Sequence, residues 1–110
     1  MSSVKNFVKN LCHNTANDIV LWRDTVDGTD CDYTAIHDGF VYRINCDPTK
    51  CMFVVNGRAV SLTETDMVNI CRSIARQKIR MSELEEIISA ANRSLAKTST
   101  RKIATDDNAA

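Results

Sequence analysis

The sequence predicts an α+β fold with an N-terminal helix, a five-stranded antiparallel meander, and two C-terminal helices packed on one face of the sheet. All three glycines follow an Asp or Asn, at 27–28, 38–39 and 56–57. Such pairs favour two-residue type I′ hairpin turns, because both turn positions need φ > 0. Runs rich in β-branched and aromatic residues lie between these turns, and apolar residues at helical spacing lie before and after them.

The first element is a short helix that Ser3 can cap. Its apolar side is formed by Val4, Phe7, Val8 and Leu11, and lysines and asparagines occupy the other side. Residues 14–17 are predicted to form the loop into the sheet.

Five strands are predicted at 18–26, 29–37, 40–46, 51–55 and 58–61. A fourth turn is predicted at 47–50, where Asp-Pro-Thr-Lys suits a type I turn with proline in its second position. Counting outward from the turns places Trp22 opposite Tyr33, then Tyr33 opposite Ile44, Ile44 opposite Phe53, and Phe53 opposite Val60. The four turns therefore agree on one apolar face, which a one-residue slip at any turn would disrupt.

After the sheet, residues 61–64 match a capping box, and Thr63 offers a second start for a helix that should end near Lys78. Another capping box at 82–85 predicts a third helix. The apolar stripe of the second helix is Met67, Ile70, Cys71 and Ile74, and that of the third is Leu84, Ile87, Ile88, Ala91 and Leu95. Residues 1–97 are expected to form a single domain, and residues 98–110 a flexible polar tail.

Composition indicates which classes of partner to expect. The charges balance, with 14 Lys+Arg against 14 Asp+Glu, so no global field favours nucleic acid or membrane. Neither a signal peptide nor an apolar run long enough to cross a membrane is visible. The odd count of five cysteines indicates reduced thiols and a cytoplasmic location.

The sheet face opposite the predicted core carries more apolar surface than a solvated face normally shows. Its residues are Ile19, Leu21, Ile36, Val41, Arg43 and Val54. Arg23 and Asp32 are expected to form a surface ion pair there. The hairpin tip nearby is acidic and includes Asp27 and Asp30. This face is predicted either to bind a protein partner or a second copy, or to be covered by the third helix or the tail.

The predicted pairing of the strands places Cys31, Cys46 and Cys51 side by side. Zinc favours thiolate ligands, and a zinc site here would take Asp24 or Cys71 as its fourth ligand. A flat row is a poor start for a tetrahedral site, so packing as small hydrophobic side chains is preferred over metal binding. Cys46 and Cys51 are expected to form a cross-strand disulfide in air. No arrangement typical of catalysis and no phosphate-binding loop is present in the sequence.

Residues 72–102 carry eight basic residues against Glu83, Glu85 and Glu86, a net charge of +5. Nucleic-acid binding would use Arg93, Lys97, Arg101 and Lys102. The three glutamates, however, would face phosphates at the start of the third helix, and cations near helix C-termini are favoured by the helix dipole alone.

We therefore expect a small non-enzymatic cytosolic protein-binding module of the adaptor or inhibitor type, without a cofactor, acting through the outer sheet face and the acidic tip. Its size and character are similar to those of stand-alone inhibitors encoded by phages and mobile elements. Nucleic-acid binding through residues 72–102 is the second hypothesis, and a zinc-stabilised structural module is the third.

Overall fold

The computed structural model describes the backbone of residues 2–26 and 31–109 and the side chains of residues 3–26 and 31–98. The elements in order are α1 (Ser2–Ala16), β1 (Trp22–Asp24), β2 (Tyr33–His37), β3 (Phe40–Asn45), β4 (Met52–Val55), β5 (Arg58–Ala59) and α2 (Glu64–Ala109). The strands form one antiparallel sheet in the order β1-β2-β3-β4-β5. The predicted α+β class, the N-terminal helix and the five-stranded meander are therefore confirmed.

The prediction of two C-terminal helices is wrong, because α2 is a single helix of 46 residues. The chain has neither glycine nor proline between 58 and 110, so nothing in the sequence ends a helix at 79–81. The start of α2 agrees with the second predicted position, since Thr63 Oγ1 accepts a hydrogen bond from the Asp66 amide at 3.1 Å. The helix continues to Ala109, and the flexibility predicted for the tail stays a prediction.

The chain divides into two compact units, Met1–Lys78 and Ile79–Ala110. The first contains α1, the sheet and the first part of α2, and the second consists of the rest of α2. The buried apolar core lies within the first unit.

Three of the four predicted strand pairings are confirmed. Tyr33 pairs with Ile44 and Ile44 pairs with Phe53. The Val60 amide donates to the Phe53 carbonyl at 2.8 Å, as the predicted pairing requires. Two type I′ turns are also confirmed, since φ is +52° at Asp38 and +81° at Gly39, and +50° and +80° at residues 56 and 57. The predicted turn at 27–28 lies outside the described residues.

The predicted pairing of β1 with β2 is wrong by two residues. Trp22 lies opposite Ala35, and Asp24 takes the place opposite Tyr33. A shift of two residues keeps every side chain on its predicted face. It also places Arg23 opposite Thr34, so the predicted Arg23–Asp32 ion pair is not formed. The Asp32 carboxylate instead accepts a hydrogen bond from the Cys46 amide at 2.9 Å.

The helix α1 is longer than predicted and includes residues 14–16, which the sequence assigned to a loop. The chain leaves the helix through Asp18, whose φ of +59° is in the left-handed region that Asp tolerates. The amides of Ile19 and Val20 donate to the Asn14 carbonyl at 2.8 and 3.1 Å, which satisfies the helix end. Residues 18–21 are therefore part of this cap rather than of β1.

The core lies between α1, one face of the sheet and the first part of α2. Its buried apolar residues are Val8, Leu11, Val20, Trp22, Ala35, Ile44, Phe53, Met67, Ile70 and Ile74. The Phe7 ring packs against this core, with its centroid 5.9 Å from that of Phe53 in an edge-to-face arrangement. One long polar side chain, Gln77, is buried among these residues.

Candidate functional site

The strongest candidate site is the sheet face opposite the core. We call it the outer sheet face, formed by Ile36, Val41, Arg43, Met52 and Val54. Ile36 pairs with Val41, and Arg43 pairs with Val54, so these side chains form two adjacent rows. The Ile36 side chain is 67% exposed and lies near the end of β2, beyond the residues that pair with β1.

A depression of about 490 Å³ opens on this face. It is lined by Cys31, Val41, Arg43, Met52, Val54, Asn56 and Gly57. The Asn56-Gly57 turn at its rim is held by two hydrogen bonds between residues 56 and 41: the Val41 amide donates to Asn56 Oδ1 at 2.8 Å, and the Asn56 amide donates to the Val41 carbonyl at 2.9 Å. A rigid turn therefore borders an apolar hollow.

The structure brings four of the predicted partner-binding residues together on this face, namely Ile36, Val41, Arg43 and Val54. Ile19 and Leu21 are exposed but precede β1, and the shifted register puts Arg23 where Leu21 was expected beside Thr34. Asp27 and Asp30 lie outside the described residues, so the role of the acidic tip stays a prediction. Met52 was missed, although the alternation along 51–55 could have found it.

The predicted row of three cysteines is not formed. Cys46 is bonded to Cys71 of α2, with their Cα atoms 6.0 Å apart. Cys31 is buried at the depression on the outer sheet face, and Cys51 is exposed and donates its thiol hydrogen to the Pro48 carbonyl at 3.3 Å. The predictions of five reduced thiols and of a Cys46–Cys51 disulfide are therefore wrong, because the helix α2 brings Cys71 closer to Cys46 than sequence spacing indicates.

The zinc hypothesis loses its geometric basis with this arrangement. Among the residues that the structure describes, no group of three or more His, Cys, Asp or Glu side chains is placed to hold a metal ion. Asp24, which was considered as a further ligand, pairs with Lys78 Nζ at 2.7 Å. The same Lys78 nitrogen lies 5.1 Å from the centroid of the Tyr33 ring.

The disulfide gives a direct prediction for thiol counting. Unfolded, unreduced protein should react with three equivalents of a thiol reagent, and reduced protein with five, since two of the five cysteines form the disulfide. In the folded protein Cys51 should react first, because it is exposed and the pKa of the Cys12 thiol is raised. Burial raises the pKa of Cys12 and Asp66 raises it further, against a hydrogen bond with Ser73 that lowers it.

Reduction should lower the free energy of unfolding by about 3 kcal/mol, as expected for a loop closed over this length.

The double substitution Cys46→Ser with Cys71→Ser is the control, and it should give three thiols before and after reduction. Five reactive thiols in unreduced wild-type protein would contradict the pairing of Cys46 with Cys71.

A larger groove of about 860 Å³, which we call the disulfide groove, lies beside the disulfide, between the Asp47–Cys51 turn and the start of α2. Its lining includes Cys46, Phe53, Leu62, Met67 and Cys71. The turn is rigid, since the Thr49 amide and hydroxyl both donate to Asp47 Oδ1, at 2.9 and 2.8 Å. These two hydrogen bonds lower the pKa of the Asp47 carboxyl. Sequence reasoning missed this groove because it depends on the contact between a turn and a helix.

A third depression, of about 480 Å³, gathers basic side chains from two helices. Lys5 and Lys9 of α1 and Arg72 and Arg76 of α2 line it, together with Asp66. We call it the basic groove. The residues predicted for nucleic-acid binding lie elsewhere: Arg93 and Lys97 are exposed on α2, and the side chains of Arg101 and Lys102 are outside the described residues. The basic groove could not be predicted from the sequence, because the pattern within one helix does not show that α1 and α2 lie side by side.

None of the helices that the structure describes has the length and apolar character needed to cross a bilayer. No protein-family model matches the chain, and no similar protein was found among curated proteins or among solved structures.

Proposed function

We propose that the protein is a non-enzymatic protein-binding module, of the adaptor or inhibitor type, which binds its partner through the outer sheet face. The observation that carries the proposal is the exposure of Ile36 beside Val41, with Val54 and Met52 on the neighbouring strand. Sheets with one solvated face normally alternate apolar and polar residues, so a run of apolar side chains on that face favours an interface.

The depression on this face supports the proposal further. Interfaces concentrate their binding energy in a few apolar side chains that fill pockets on the partner. The hollow lined by Val41, Met52 and Val54 offers such a pocket on a rigid sheet. A β-sheet also keeps its shape on binding, which limits the entropy lost in the complex.

Nucleic-acid binding is the second candidate, and the basic groove is the observation that favours it. Four cations on two packed helices would neutralise adjacent phosphates, and such binding weakens steeply as salt rises. Binding by an apolar sheet face depends little on salt.

The proposal predicts the outcome of a pull-down from native lysate after nuclease treatment, washed with rising salt. The wild-type protein should retain a protein partner at high salt, whereas Val54→Lys and Val41→Asp should lose it at least tenfold. Each change places a charge in an apolar contact, and each side chain is only half-buried in the free protein, so the fold should be kept. Circular dichroism of each variant checks the fold.

Val68→Lys is the matched control, since it makes the same change on an exposed valine of α2, at the disulfide groove. It should leave the partner bound. Loss with Val68→Lys but not with Val54→Lys would assign binding to the disulfide groove instead. In a parallel pull-down without nuclease, recovery of nucleic acid that washes off with salt, and is lost in Arg76→Glu, would favour the basic groove.

A further inference from the structure

The basic groove lies between α1 and the first part of α2, within the first unit. The Cys12 thiol is hydrogen-bonded with Ser73, and about one turn further along both helices the Gln77 side chain donates to the Thr15 carbonyl at 3.0 Å. The two helices therefore run side by side in the same direction. Four cations and one carboxylate line the groove between them, which gives it a net charge of +3.

The four cations of the basic groove are placed as like-charge neighbours. Lys5 and Lys9 are four residues apart in α1, and Arg72 and Arg76 are four residues apart in α2. Residues at this spacing adjoin on a helix surface, and two like charges there destabilise the helix. The helix α1 contains no Asp or Glu that could compensate for its two lysines. Natural sequences that break such a local rule tend to do so at functional sites.

The groove cations lack carboxylate partners within the part of the chain whose side chains are described. Elsewhere in the same unit, Lys78 Nζ pairs with Asp24 at 2.7 Å. None of the four groove cations forms such a pair with another described residue, and Asp66, which also lines the groove, is paired with none of them. The four side chains are exposed, so they are available to a bound anion.

The groove offers the donors that phosphate oxygens accept from. Arginine presents a planar fork of N–H donors that matches a phosphate group, and lysine presents a compact charge. The exposed Asn69 side chain, which also lines the groove, adds an amide donor. Two forks and two compact charges in one groove suit an anion that carries several charges close together.

The length of the groove limits the anion that it can hold. Four residues span about 6 Å of a helix at a rise of 1.5 Å per residue, so each pair of cations covers only that distance. Carboxylates flank the cations: Asp66 precedes Arg72 in α2, and Asp18 follows α1 and accepts a hydrogen bond from Gln77, the residue after Arg76. An extended strand of nucleic acid would carry phosphates past these carboxylates, which repel them, whereas a compact ligand contacts the cations alone.

We propose that the basic groove binds a small molecule with two adjacent phosphate groups, such as inorganic pyrophosphate or a nucleoside diphosphate. Arg72 and Arg76 make charge-assisted hydrogen bonds to the phosphate oxygens, and Lys5 and Lys9 complete the neutralisation from α1. This inference does not rest on the proposed function of the outer sheet face. It also gives the basic groove a ligand other than nucleic acid.

Isothermal titration calorimetry of the full chain with inorganic pyrophosphate at low salt tests the proposal. The wild-type protein should bind it, and Lys9→Gln and Arg76→Gln should each weaken binding by about tenfold or more, because each removes a charge-assisted hydrogen bond. Arg58→Gln is the matched control, since it removes the same charge at an exposed position of β5, and it should bind like the wild type. Absence of binding by the wild type, or equal weakening by Arg58→Gln and Arg76→Gln, would overturn the proposal.

Thermal unfolding separates loss of binding from loss of the fold. Without ligand, Lys9→Gln and Arg76→Gln should unfold at the wild-type temperature or above it, because each removes a like-charge contact within a helix. Pyrophosphate should raise the unfolding temperature of the wild-type protein and leave that of the double variant unchanged. The same rise in both proteins would place the ligand outside the basic groove and contradict the proposal.

Competition identifies the chemical source of the phosphates. Inorganic phosphate should bind about tenfold more weakly than pyrophosphate or worse, because it makes fewer contacts, and equal binding would overturn the need for two adjacent phosphates. A single-stranded oligonucleotide that binds through Arg76 and is not displaced by pyrophosphate would assign the groove to nucleic acid instead. Val54→Lys should bind pyrophosphate like the wild type, so this proposal and that of the outer sheet face stand or fall separately.

Discussion

Replacement of Phe53 by alanine is expected to lower the free energy of unfolding by about 3–5 kcal/mol, the range measured for deletion of a buried aromatic ring. Phe53 is 2% exposed and lies opposite Ile44, which is fully buried. Its ring centroid also lies 5.9 Å from that of Phe7 and 6.4 Å from that of Tyr42. The substitution therefore opens a cavity where α1 meets the sheet, and urea denaturation followed by circular dichroism would measure its cost.

Val54→Ala is the control for this prediction, because Val54 is the next residue on the same strand and points to the outer sheet face. It should cost well under half as much, since its side chain is only half-buried. Equal losses at positions 53 and 54 would show that β4 does not present Phe53 to the core, because a one-residue slip exchanges the two faces.

The parts of the fold that could be predicted are those that depend on neighbouring residues. A type I′ turn needs positive φ at two adjacent positions, and Asp38-Gly39 and Asn56-Gly57 provide this locally. Such a turn also fixes the pairing of the strands on both sides. Alternation along a strand then assigns each side chain to a face, which is how Ile36, Val41 and Val54 were recognised as outer residues.

The parts that could not be predicted depend on contacts between distant segments. The pairing of Cys46 with Cys71 joins a strand end to a helix 25 residues later, and no spacing rule connects them. The basic groove likewise needs Lys9 of α1 beside Arg76 of α2. The sequence predicted two helices in place of the single α2 because S-x-x-E at 82–85 matches a capping box. The same pattern also occurs inside helices, where no glycine or proline ends them.

The position of β1 is another feature that distant contacts decide, and Gln77 is central to it. Gln77 Oε1 accepts a hydrogen bond from the Trp22 amide at 2.8 Å. Gln77 Nε2 donates to the carbonyls of Val20 and Thr15, at 2.7 and 3.0 Å. The Trp22 indole nitrogen donates to Thr15 Oγ1 at 3.0 Å. One buried amide thus joins α2, the end of α1 and the first residue of β1.

Gln77→Leu should therefore lower the free energy of unfolding by about 2–5 kcal/mol, since the buried Trp22 amide and the Val20 carbonyl lose their partner and each unsatisfied group costs about 1–3 kcal/mol. The Thr15 carbonyl keeps its hydrogen bond from the Asp18 amide at 3.1 Å. Leucine is close to glutamine in size, so the loss would come from the hydrogen bonds rather than from a cavity. Urea denaturation would measure it, and a shift of the Trp22 amide resonance in NMR spectra would report the broken contact.

Asn69→Leu serves as the control for Gln77→Leu, because it makes a similar polar-to-apolar change at an exposed position of the same helix. Exposed substitutions of this kind usually stay within about 0.5 kcal/mol of the wild type. Should Gln77→Leu prove as stable as Asn69→Leu, burial of the new methyl groups would have offset the lost hydrogen bonds. The position of β1 would then have to be maintained by the pairing of Trp22 with Ala35 and by the contacts of its ring in the core.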